Sequence, residues 1–268
     1  MTWEPRVQVW RTHRSQFIPP DDRFDPERHS VAVLPEVEAK AFVVAHHYSR
    51  SYPAARFRAG LFREGRLVGA AVFSESMNPH AVASWSGGHR GVELGRFVLL
   101  DEIEFNAETW FLRRALTLLR QHKGTEVVLA YSDPVPRRTL AGEVVTPGHV
   151  GQIYQAYNAV YRGRSRPRMQ LLDPLGRSVS ERAVSKALGG ERGAGHVLRA
   201  LLDVGAPEPR LGESPVAWRA RAVESGTLRL VRHPGNYAYL LRVPGARVDL
   251  PPAAGPYPRK ATGVERCS

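Results

Sequence analysis

Apolar side chains recur at helical spacing in three segments of the chain, residues 34–49, 106–122 and 148–162. Pro35 suits the first turn of the first segment, and Asn106 is a favourable N-cap for the second. The pattern therefore predicts three helices.

Short runs of alternating or continuous apolar residues lie between and beyond these segments, as is typical of β-strands. Residues 56–76 contain two such runs around Glu64–Gly65 and predict a β-hairpin. Residues 91–100 and 125–134 each predict a single strand, and residues 226–243 predict a second hairpin that completes the sheet. Because the last strands alternate with helices, we expect an α/β (α+β) fold in which a mixed central sheet with parallel neighbours is flanked by helices.

The remaining segments lack a periodic apolar pattern and set the expected domain boundaries. We expect a single domain with a C-terminal extension. Its segments are an N-terminal arm or edge strand (1–33), the catalytic core (34–188), a Gly-, Pro- and Arg-rich linker or insertion (189–225), the second hairpin (226–243) and a disordered tail (244–268).

The composition adds a strong positive charge to this picture. Among 268 residues, 38 are Lys or Arg and 26 are Asp or Glu, a formal net charge of +12. Such an excess favours a polyanionic partner, nucleic acid above all, although a generally basic composition is the alternative. Cys267 is the only cysteine, which excludes a disulfide framework or a thiolate metal cluster within the chain. The chain shows no leader pattern and no long apolar run, so we expect a cytoplasmic protein without a membrane segment.

Several stretches of the sequence together resemble the Mom proteins of phage Mu and its relatives, a family with the GNAT acyltransferase fold. They are "HHYSRSYPAARFRAGLF", "ELGRFVLLDEIEFNAETWFLRRAL", "YSDPVPR", "GHVGQIYQAYNAVYRGRSRPR" and "RHPGNYAYLL". The resemblance covers about residues 47–170 and 232–241.

This resemblance implies a GNAT-like enzyme of a phage or prophage, acting in the bacterial cytoplasm. The implied reaction converts adenine in double-stranded DNA to N6-(methylcarbamoyl)adenine and protects the DNA from restriction. The implied cofactors are acetyl-CoA and a bound iron. Two alternatives remain open: an ordinary N-acetyltransferase acting on a small amine or a protein, and a non-catalytic DNA-binding protein on the same scaffold. The sequence does not predict the oligomeric state.

The strand–loop–helix at 93–116 is the expected cofactor site. In the GNAT arrangement, the pantetheine arm pairs with the strand backbone where two strands part, and the pyrophosphate lies on the N-terminus of the next helix. The residues implied for these contacts are Phe97, Val98, Leu99, Asn106, Ala107, Thr109 and Arg113. The loop has no glycine, and we expect Glu104 and Glu108 at its mouth, where two carboxylates would oppose a pyrophosphate. We therefore expect either that coenzyme A binds weakly and by a changed route or that this site no longer uses it in the usual way.

Arg96 and Asp133 are expected catalytic residues on two neighbouring strands, near the point where these strands part. Arg96 lies inside an apolar run, so its guanidinium needs a partner. The structural interpretation is an ion pair with Glu93 or Asp133, and the functional one is a guanidinium facing the cleft that stabilises developing negative charge. Asp133 ends its strand before a proline, either as a turn residue or as a proton acceptor or iron ligand.

The end of the first helix supplies further candidates. His46, His47 and Tyr48 are candidates for base contact, proton transfer or metal ligation, with His47 and Tyr48 as catalytic candidates and His46 and His47 as metal ligands. The structural alternative is one exposed histidine at a favourable helix C-terminus and one packed.

The third helix and the segment after it supply tyrosines and arginines. Tyr154, Tyr157 and Tyr161 fall on one helical stripe, either as a packing stripe or as a wall for the pantetheine arm or an extruded base; Tyr154, Asn158 and Tyr161 are the expected cofactor contacts. Regularly spaced arginines follow and predict a rail for phosphates, with a solvated basic loop as the alternative. The expected DNA contacts are Arg137, Arg138, Arg162, Arg164, Arg166 and Arg168.

Overall fold

The computed structural model describes residues 24–104 and 106–259, together with the backbone of two strands near the N-terminus. The strands are β1 (Arg6–Val9), β2 (Arg14–Phe17), β3 (His29–Val33), β4 (Ala55–Arg63), β5 (Arg66–Ser74), β6 (Gly91–Leu99), β7 (Val127–Ser132), β8 (Arg137–Arg138), β9 (Val144–Thr146), β10 (Val160–Arg164), β11 (Arg168–Leu172), β12 (Ser178–Val179), β13 (Arg229–His233) and β14 (Tyr237–Arg242). The helices are α1 (Glu36–His46), α2 (Ala81–Ser86), α3 (Ala107–Lys123), α4 (Gln152–Ala156), α5 (Glu181–Leu188), α6 (Gly195–Leu202) and α7 (Pro215–Glu224).

The chain divides into two compact units. The first comprises Met1–Pro134, His149–Arg164 and Asn236–Ser268, and the second comprises Val135–Gly148 and Ser165–Gly235. Part of each unit therefore comes from separated stretches of the chain, a division different from the five consecutive segments expected from the sequence.

A seven-stranded mixed sheet forms the centre of the first unit, in the order β10-β14-β7-β6-β5-β4-β3. Its pairs are antiparallel except β6 and β7, which are parallel. The predicted mixed sheet with a parallel pair is confirmed. β1 and β2 pair with each other, and β3 lies at one edge of the seven-stranded sheet.

Helices cover both faces of this sheet. On one face, α3 buries apolar side chains such as Phe111 and Leu116 against the strands. On the other face, α1 packs against β5 and β6, and α2 packs against β7 and β14. Each fully buried Leu or Phe contributes roughly 1.5–3 kcal/mol, which makes α3 the main anchor of the sheet.

The parallel pair β6–β7 is short. It runs only from Gly91–Val127 to Glu93–Leu129 in register, after which the two strands part. An opening therefore begins beside Glu93, in the middle of the sheet.

The second unit holds a three-stranded antiparallel sheet, β12-β11-β13, the pair β8–β9 and helices α5, α6 and α7. Trp218 is fully buried at its centre, and its indole N–H donates to the carbonyl of Pro207 at 2.8 Å. Residues 189–225, expected to be a linker or insertion, thus contain two ordered helices. Their few apolar residues, such as Leu201 and Ala222, converge on Trp218, a pattern hidden by the surrounding glycines and arginines.

The predicted second hairpin is not formed. β13 pairs with β11 in the second unit, whereas β14 pairs with β7 and β10 in the first. Between them Gly235 adopts a left-handed φ of 98°, and the chain passes from one sheet to the other. Only β14 completes the main sheet.

The helix predicted over 148–162 is also shorter than expected. α4 spans Gln152–Ala156, and the chain then enters strand β10. Gly151 (φ 74°) and Asn158 (φ 58°) adopt left-handed conformations at the two ends, which interrupts helical hydrogen bonding.

The expected disordered tail follows a defined course as far as residue 259. Val248 and Leu250 pack on the face of the sheet that α2 covers. Further along, the N–H of Ala254 donates to the carbonyl of Tyr161 at 2.8 Å, and the Tyr257 hydroxyl donates to the carbonyl of Ala159 at 2.7 Å. We call residues 244–259 the strap. Residues 260–268, including Cys267, lie outside the described residues.

Along the described parts of the chain, no helix combines the length and the apolar character that crossing a membrane would require.

Candidate active site

A β-bulge in β6 brings two charged side chains to the same face of the sheet. Gly95 has no partner on β5, whereas the residues on either side are paired, as Ser74 with Glu93, Phe73 with Leu94 and Val72 with Arg96. Leu94 and Phe97 belong to the core under α3, so Glu93 and Arg96 both project from the opposite face. The extra residue in the bulge reverses the normal alternation of side chains between the two faces of the sheet.

The bulge requires glycine at position 95. A Cβ on Gly95 would lie 2.5 Å from Ser74 Oγ and 3.0 Å from Pro53 Cγ. Any larger residue would push β6 away from β5 or from the loop after α1. Gly95 therefore sets where Glu93 and Arg96 stand.

Arg96 is held by neutral oxygen atoms. Its Nε donates to the carbonyl of Ser51 at 2.9 Å, one terminal nitrogen donates to Ser51 Oγ at 2.7 Å, and the other donates to the carbonyl of Gly95. Among the described residues no carboxylate hydrogen-bonds to this guanidinium, so the ion pair with Glu93 or Asp133 considered from the sequence is not formed there. Burial lowers the pKa of Arg96, and Tyr48 and Glu93 oppose that effect.

Glu93 is half-buried at the point where β6 and β7 part. Burial raises the pKa of its carboxyl group, and the hydroxyl of Ser76 and the charge of Arg96 offset this only in part. A carboxylate with a raised pKa accepts a proton more readily than an ordinary glutamate. The sequence analysis predicts Glu93 only as an ion-pair partner of Arg96. An acidic side chain within an apolar strand, two residues before a glycine, is the feature of the sequence that could have indicated a catalytic role for it.

Three tyrosines surround this pair. Tyr154 of α4 is buried, and burial raises its pKa, with Tyr48 and Glu93 adding to the rise. Tyr131 of β7 is half-buried, and its hydroxyl accepts a hydrogen bond from the indole N–H of Trp85 at 2.8 Å. Tyr48 follows α1, next to Ser51 in the chain segment that holds Arg96. Tyr131 and Tyr154 both have a pKa that burial and the charge of Glu93 raise, so both lie within electrostatic reach of that carboxylate.

The two histidines of the predicted metal site diverge. His46 is exposed and contacts the ring of Phe42, whereas His47 is buried, and its Nδ1 accepts the backbone N–H of Ser49 at 3.1 Å. The described ranges contain no group of three or more His, Cys, Asp or Glu side chains that could hold a metal ion. These residues do not offer the donor set that the expected iron would need.

Asp133 follows the last residue of β7 and is half-buried. Its backbone carbonyl accepts the N–H of His149 at 2.7 Å, which ties the end of β7 to the segment before α4. The hydrogen bonds of Arg96 go to Ser51 and Gly95 and not to Asp133.

The N-terminus of α3, the expected phosphate site, has no side-chain cap. Asn106 adopts a left-handed conformation and gives α3 no side-chain cap. Thr109 Oγ1 donates to the carbonyl of Asn106 at 3.3 Å, Ala107 is buried and Arg113 is exposed. The side chains of the other three predicted cofactor contacts, Phe97, Val98 and Leu99, are buried in the core, which leaves their backbone as the part that a ligand would meet.

Glu104 does not lie at the mouth of the phosphate site, contrary to expectation. Its side chain is 2% exposed, 3.3 Å from the guanidinium of Arg63 and 3.4 Å from Nε2 of His29. These long-range partners on β4 and β3 draw the carboxylate inward. Of the two predicted acidic residues, only Glu108 remains in the first turn of α3.

The tyrosine stripe predicted on one helix is spread over two elements. Tyr154 packs against Tyr239 with ring centres 5.4 Å apart, whereas Tyr161 belongs to β10 and lies 5.5 Å from Tyr239. The Tyr157 hydroxyl donates to the carbonyl of Arg242 at 3.2 Å, and Asn158 is exposed in the turn between α4 and β10. Of these three tyrosines, Tyr154 is the one whose pKa the charge of Glu93 helps to raise.

The predicted arginine rail is also divided. Arg162 donates from Nε to the carbonyl of Trp85 at 3.1 Å and from a terminal nitrogen to that of Pro252, so it fastens the strap. Arg164 donates to the Tyr237 hydroxyl at 2.6 Å, with its guanidinium carbon 4.5 Å from that ring centre. The other four, Arg137, Arg138, Arg166 and Arg168, belong to the second unit, where Arg166 and Arg168 are exposed.

Comparison with known proteins identifies the chain's relatives. The model of the Mom protein family matches residues 28–202. No curated protein sequence matches the chain. Among solved structures, the chain is similar to a GNAT family N-acetyltransferase from Escherichia coli in complex with CoA, with 14% identity over 42% of this chain and 67% of that one and a TM-score of 0.31.

Two further acetyltransferase structures show similarity of the same degree. The ribosomal-protein-S5-alanine acetyltransferase from Vibrio fischeri has 12% identity over 53% of this chain and 85% of that one, with a TM-score of 0.32. An N-acetyltransferase from Staphylococcus aureus has 10% identity over 54% and 85%, with a TM-score of 0.32. Similarities this weak support no statement about chemistry.

Proposed function

Because the chain belongs to the Mom protein family, we propose that it is a GNAT-like transferase that converts adenine in double-stranded DNA to N6-(methylcarbamoyl)adenine. The observation that carries this proposal is the bulge at Gly95, which sets Glu93 and Arg96 on one face of β6 where the sheet opens. A carboxylate beside such an opening can accept a proton, and a guanidinium there can stabilise negative charge, two contributions that assist acyl transfer to a weak amine.

Glu93 is the proposed general base. The amino group of adenine is a poor nucleophile because its lone pair is delocalised into the ring. It must lose a proton as the new bond between N6 and the carbonyl carbon forms. The raised pKa of Glu93 suits its carboxylate to take that proton. Asp133, expected from the sequence in this role, stands at the end of the neighbouring strand and is the second candidate.

Arg96 and Tyr154 are proposed to manage the charge that develops during transfer. The Arg96 guanidinium, fixed by Ser51 and Gly95, stabilises negative charge on the attacked oxygen. Tyr154 keeps its proton because burial raises its pKa, so its hydroxyl can donate a hydrogen bond to a leaving thiolate. Tyr48, which influences the pKa values of Arg96 and Tyr154, and His47, whose ring centre lies 4.2 Å from that of Tyr48, are proposed to position the base.

The residues around the opening fit acetyl-CoA, whose thioester would supply an activated carbonyl carbon and release coenzyme A as the thiol. Attack by N6 on that carbonyl alone would give an acetyl group. The nitrogen between the carbonyl and methyl groups of the product would therefore come from a second reactant, a nitrogen donor at the oxidation level of hydroxylamine, with loss of water. The edge of β6 beyond Glu93 is not paired with β7 and can pair with an extended pantetheine arm. The uncapped N-terminus of α3 offers backbone N–H groups to a pyrophosphate, and the burial of Glu104 removes one of the two expected repulsions. Iron has no place in this proposal, because the described residues lack a donor set for it.

Double-stranded DNA is the proposed acceptor. The net charge of +12 favours a polyanion, and exposed arginines such as Arg166 and Arg168 can replace condensed counterions. An amino group inside a duplex does not reach a recessed opening, so the adenine is proposed to be extruded from the stack. Modification of adenine in this way would protect the DNA from restriction.

The test is mass analysis of nucleosides from DNA of cells that express the full chain. A methylcarbamoyl adduct on deoxyadenosine supports the proposal. Unmodified DNA with an acylated small amine or protein would replace it with an ordinary N-acetyltransferase. Unmodified DNA without any acylated product would leave a DNA-binding protein on a transferase scaffold.

A further inference from the structure

The hydroxyl group of Tyr131 accepts one hydrogen bond and has a hydrogen of its own to donate. Its oxygen accepts the indole N–H of Trp85 at 2.8 Å. This hydrogen bond occupies one lone pair of the hydroxyl oxygen and orients the hydroxyl group. The hydroxyl hydrogen remains available for donation to another acceptor. No acceptor for that hydrogen is found among residues 24–104 and 106–259, so the group is an oriented donor without an acceptor.

Register places this donor beside Glu93. Glu93 pairs with Leu129 at the last rung shared by β6 and β7. Tyr131 follows Leu129 by two residues on the same strand, so both side chains lie on the same face, the face that α2 covers. Glu93 and Tyr131 therefore flank the start of the opening from its two sides. Their nearness also appears in the pKa of Tyr131, which is raised by burial and, after an opposing effect of Trp85, by the charge of Glu93.

An acceptor and a donor that flank the opening on one face are the two groups that one edge of adenine can engage. The N6 amino group donates hydrogen bonds, and the ring nitrogens that flank it, N1 and N7, accept them. Alkyl amines such as lysine have no acceptor next to the amino group. The oxygens of guanine and thymine at the equivalent position cannot donate to Glu93.

We propose that Tyr131, oriented by Trp85, is a specificity residue that donates a hydrogen bond to a ring nitrogen flanking the adenine amino group while Glu93 accepts from the amino group itself. The inference rests on the proposed function of this site and names the feature of the substrate that the site reads. Trp85 acts through Tyr131 and is a positioning residue.

Binding of extruded bases tests the proposal without requiring catalysis. Full-length protein is titrated with duplexes in which the target base faces an abasic site, so that extrusion is already favoured. The target is deoxyadenosine, 1-deazadeoxyadenosine or 7-deazadeoxyadenosine, and the proteins are the wild type, Tyr131→Phe and Trp85→Phe. Tyr257→Phe is the matched control, because its hydroxyl bonds to the carbonyl of Ala159 in the strap.

The wild type is expected to bind one of the two deaza duplexes roughly 5- to 150-fold more weakly than the deoxyadenosine duplex, the effect of one hydrogen bond whose loss leaves a buried donor unpaired. Tyr131→Phe should bind all three duplexes alike, and Trp85→Phe should show a reduced preference. Tyr257→Phe should keep the full preference.

Equal binding of the three duplexes by the wild type overturns the inference, as does a preference that survives in Tyr131→Phe. If Tyr131→Phe does not fold, an undiminished preference in Trp85→Phe overturns it. These outcomes are separate from a failure of the proposed function, which would appear as DNA that binds with the expected preference but is never modified.

Discussion

Glu93 and Arg96 project from the same face of β6, although an unbroken strand would turn them to opposite faces. The single unpaired residue Gly95 lies between them on the strand and reverses the alternation. A base and a positive charge thus meet at the point where β6 and β7 part, without any direct ion pair that would neutralise both.

The bulge is expected to tolerate no side chain. Gly95→Ala places a Cβ 2.5 Å from Ser74 Oγ, and relief of that clash should move β6. We expect a loss of about 1–3 kcal/mol in the free energy of unfolding and a much larger proportional loss of activity, because the two functional side chains lose their common face. Denaturation curves and activity per folded molecule measure the two effects.

Gly195→Ala is the matched control for this change. Nothing lies within 4 Å of a Cβ at Gly195, so neither stability nor activity should fall. Full activity in a well-folded Gly95→Ala protein would show that the bulge does not position the site.

Removal of the charge of Glu93 should separate activity from stability. Glu93→Gln keeps the shape of the side chain but cannot accept a proton, so activity should fall by roughly 10²–10⁴-fold. Folding should not suffer, because the raised pKa means that the ionised carboxylate is less stable in the folded chain than in the unfolded one. Glu126→Gln, at an exposed position before β7, is the control.

The raised pKa of Glu93 predicts that activity and stability depend on pH in opposite directions. Activity should rise with pH through the pKa of Glu93, at values above the ordinary glutamate range, because the base must be ionised. Stability contributed by the protonated carboxyl is present at low pH and is lost as pH rises through that pKa. Glu93→Gln should remove this component of the stability profile, and an unchanged profile would argue against a raised pKa.

The burial of Glu104 should make it structurally important. Glu104→Gln removes the negative charge that faces Arg63 and His29, and we expect a loss of about 3 kcal/mol in the free energy of unfolding. Glu102→Gln is the control, because its ion pair with Arg66 is half exposed on both sides and should cost at most about 1 kcal/mol. Equal effects in urea denaturation would place Glu104 at the surface.

The strap should stabilise the first unit. A chain ending at Val243 loses the buried side chains of Val248 and Leu250, each with roughly 1.5–3 kcal/mol of burial. We expect its Tm to fall on the order of 10 °C. A chain ending at Arg259 keeps the strap and should melt like the full chain. Equal melting of the two shortened chains would contradict the packing of residues 244–259.

The local pattern of apolar residues was enough to predict the helices and strands that bury a regular apolar face. Asn106 and the periodic residues after it predict α3, and the continuous apolar run at 127–132 predicts β7. The pattern failed where distant partners decide. A single glycine in an apolar run gives no sign of a bulge, because the bulge depends on pairing with β5. Glu104 stands among acidic residues in the sequence, which predicts an exposed side chain. Its burial depends on Arg63, a residue distant in the chain.

The same limit explains the second unit and the strap. The apolar residues that surround Trp218 are thinly spread among glycines and arginines, and they converge only in three dimensions. The strap likewise has little apolar pattern of its own and is fixed by backbone hydrogen bonds to Tyr161 and by Arg162. Arg162 was expected to contact phosphate, a role that sequence spacing alone cannot distinguish from fastening a loop.

The most direct test of this account is the mass of nucleosides from DNA of cells that express the wild type, Glu93→Gln or Glu126→Gln at equal levels of folded protein. We predict a methylcarbamoyl adduct on deoxyadenosine with the wild type and with Glu126→Gln, and a loss of roughly 10²–10⁴-fold with Glu93→Gln. Unmodified deoxyadenosine with the wild type, or undiminished adduct with a folded Glu93→Gln protein, would contradict the account.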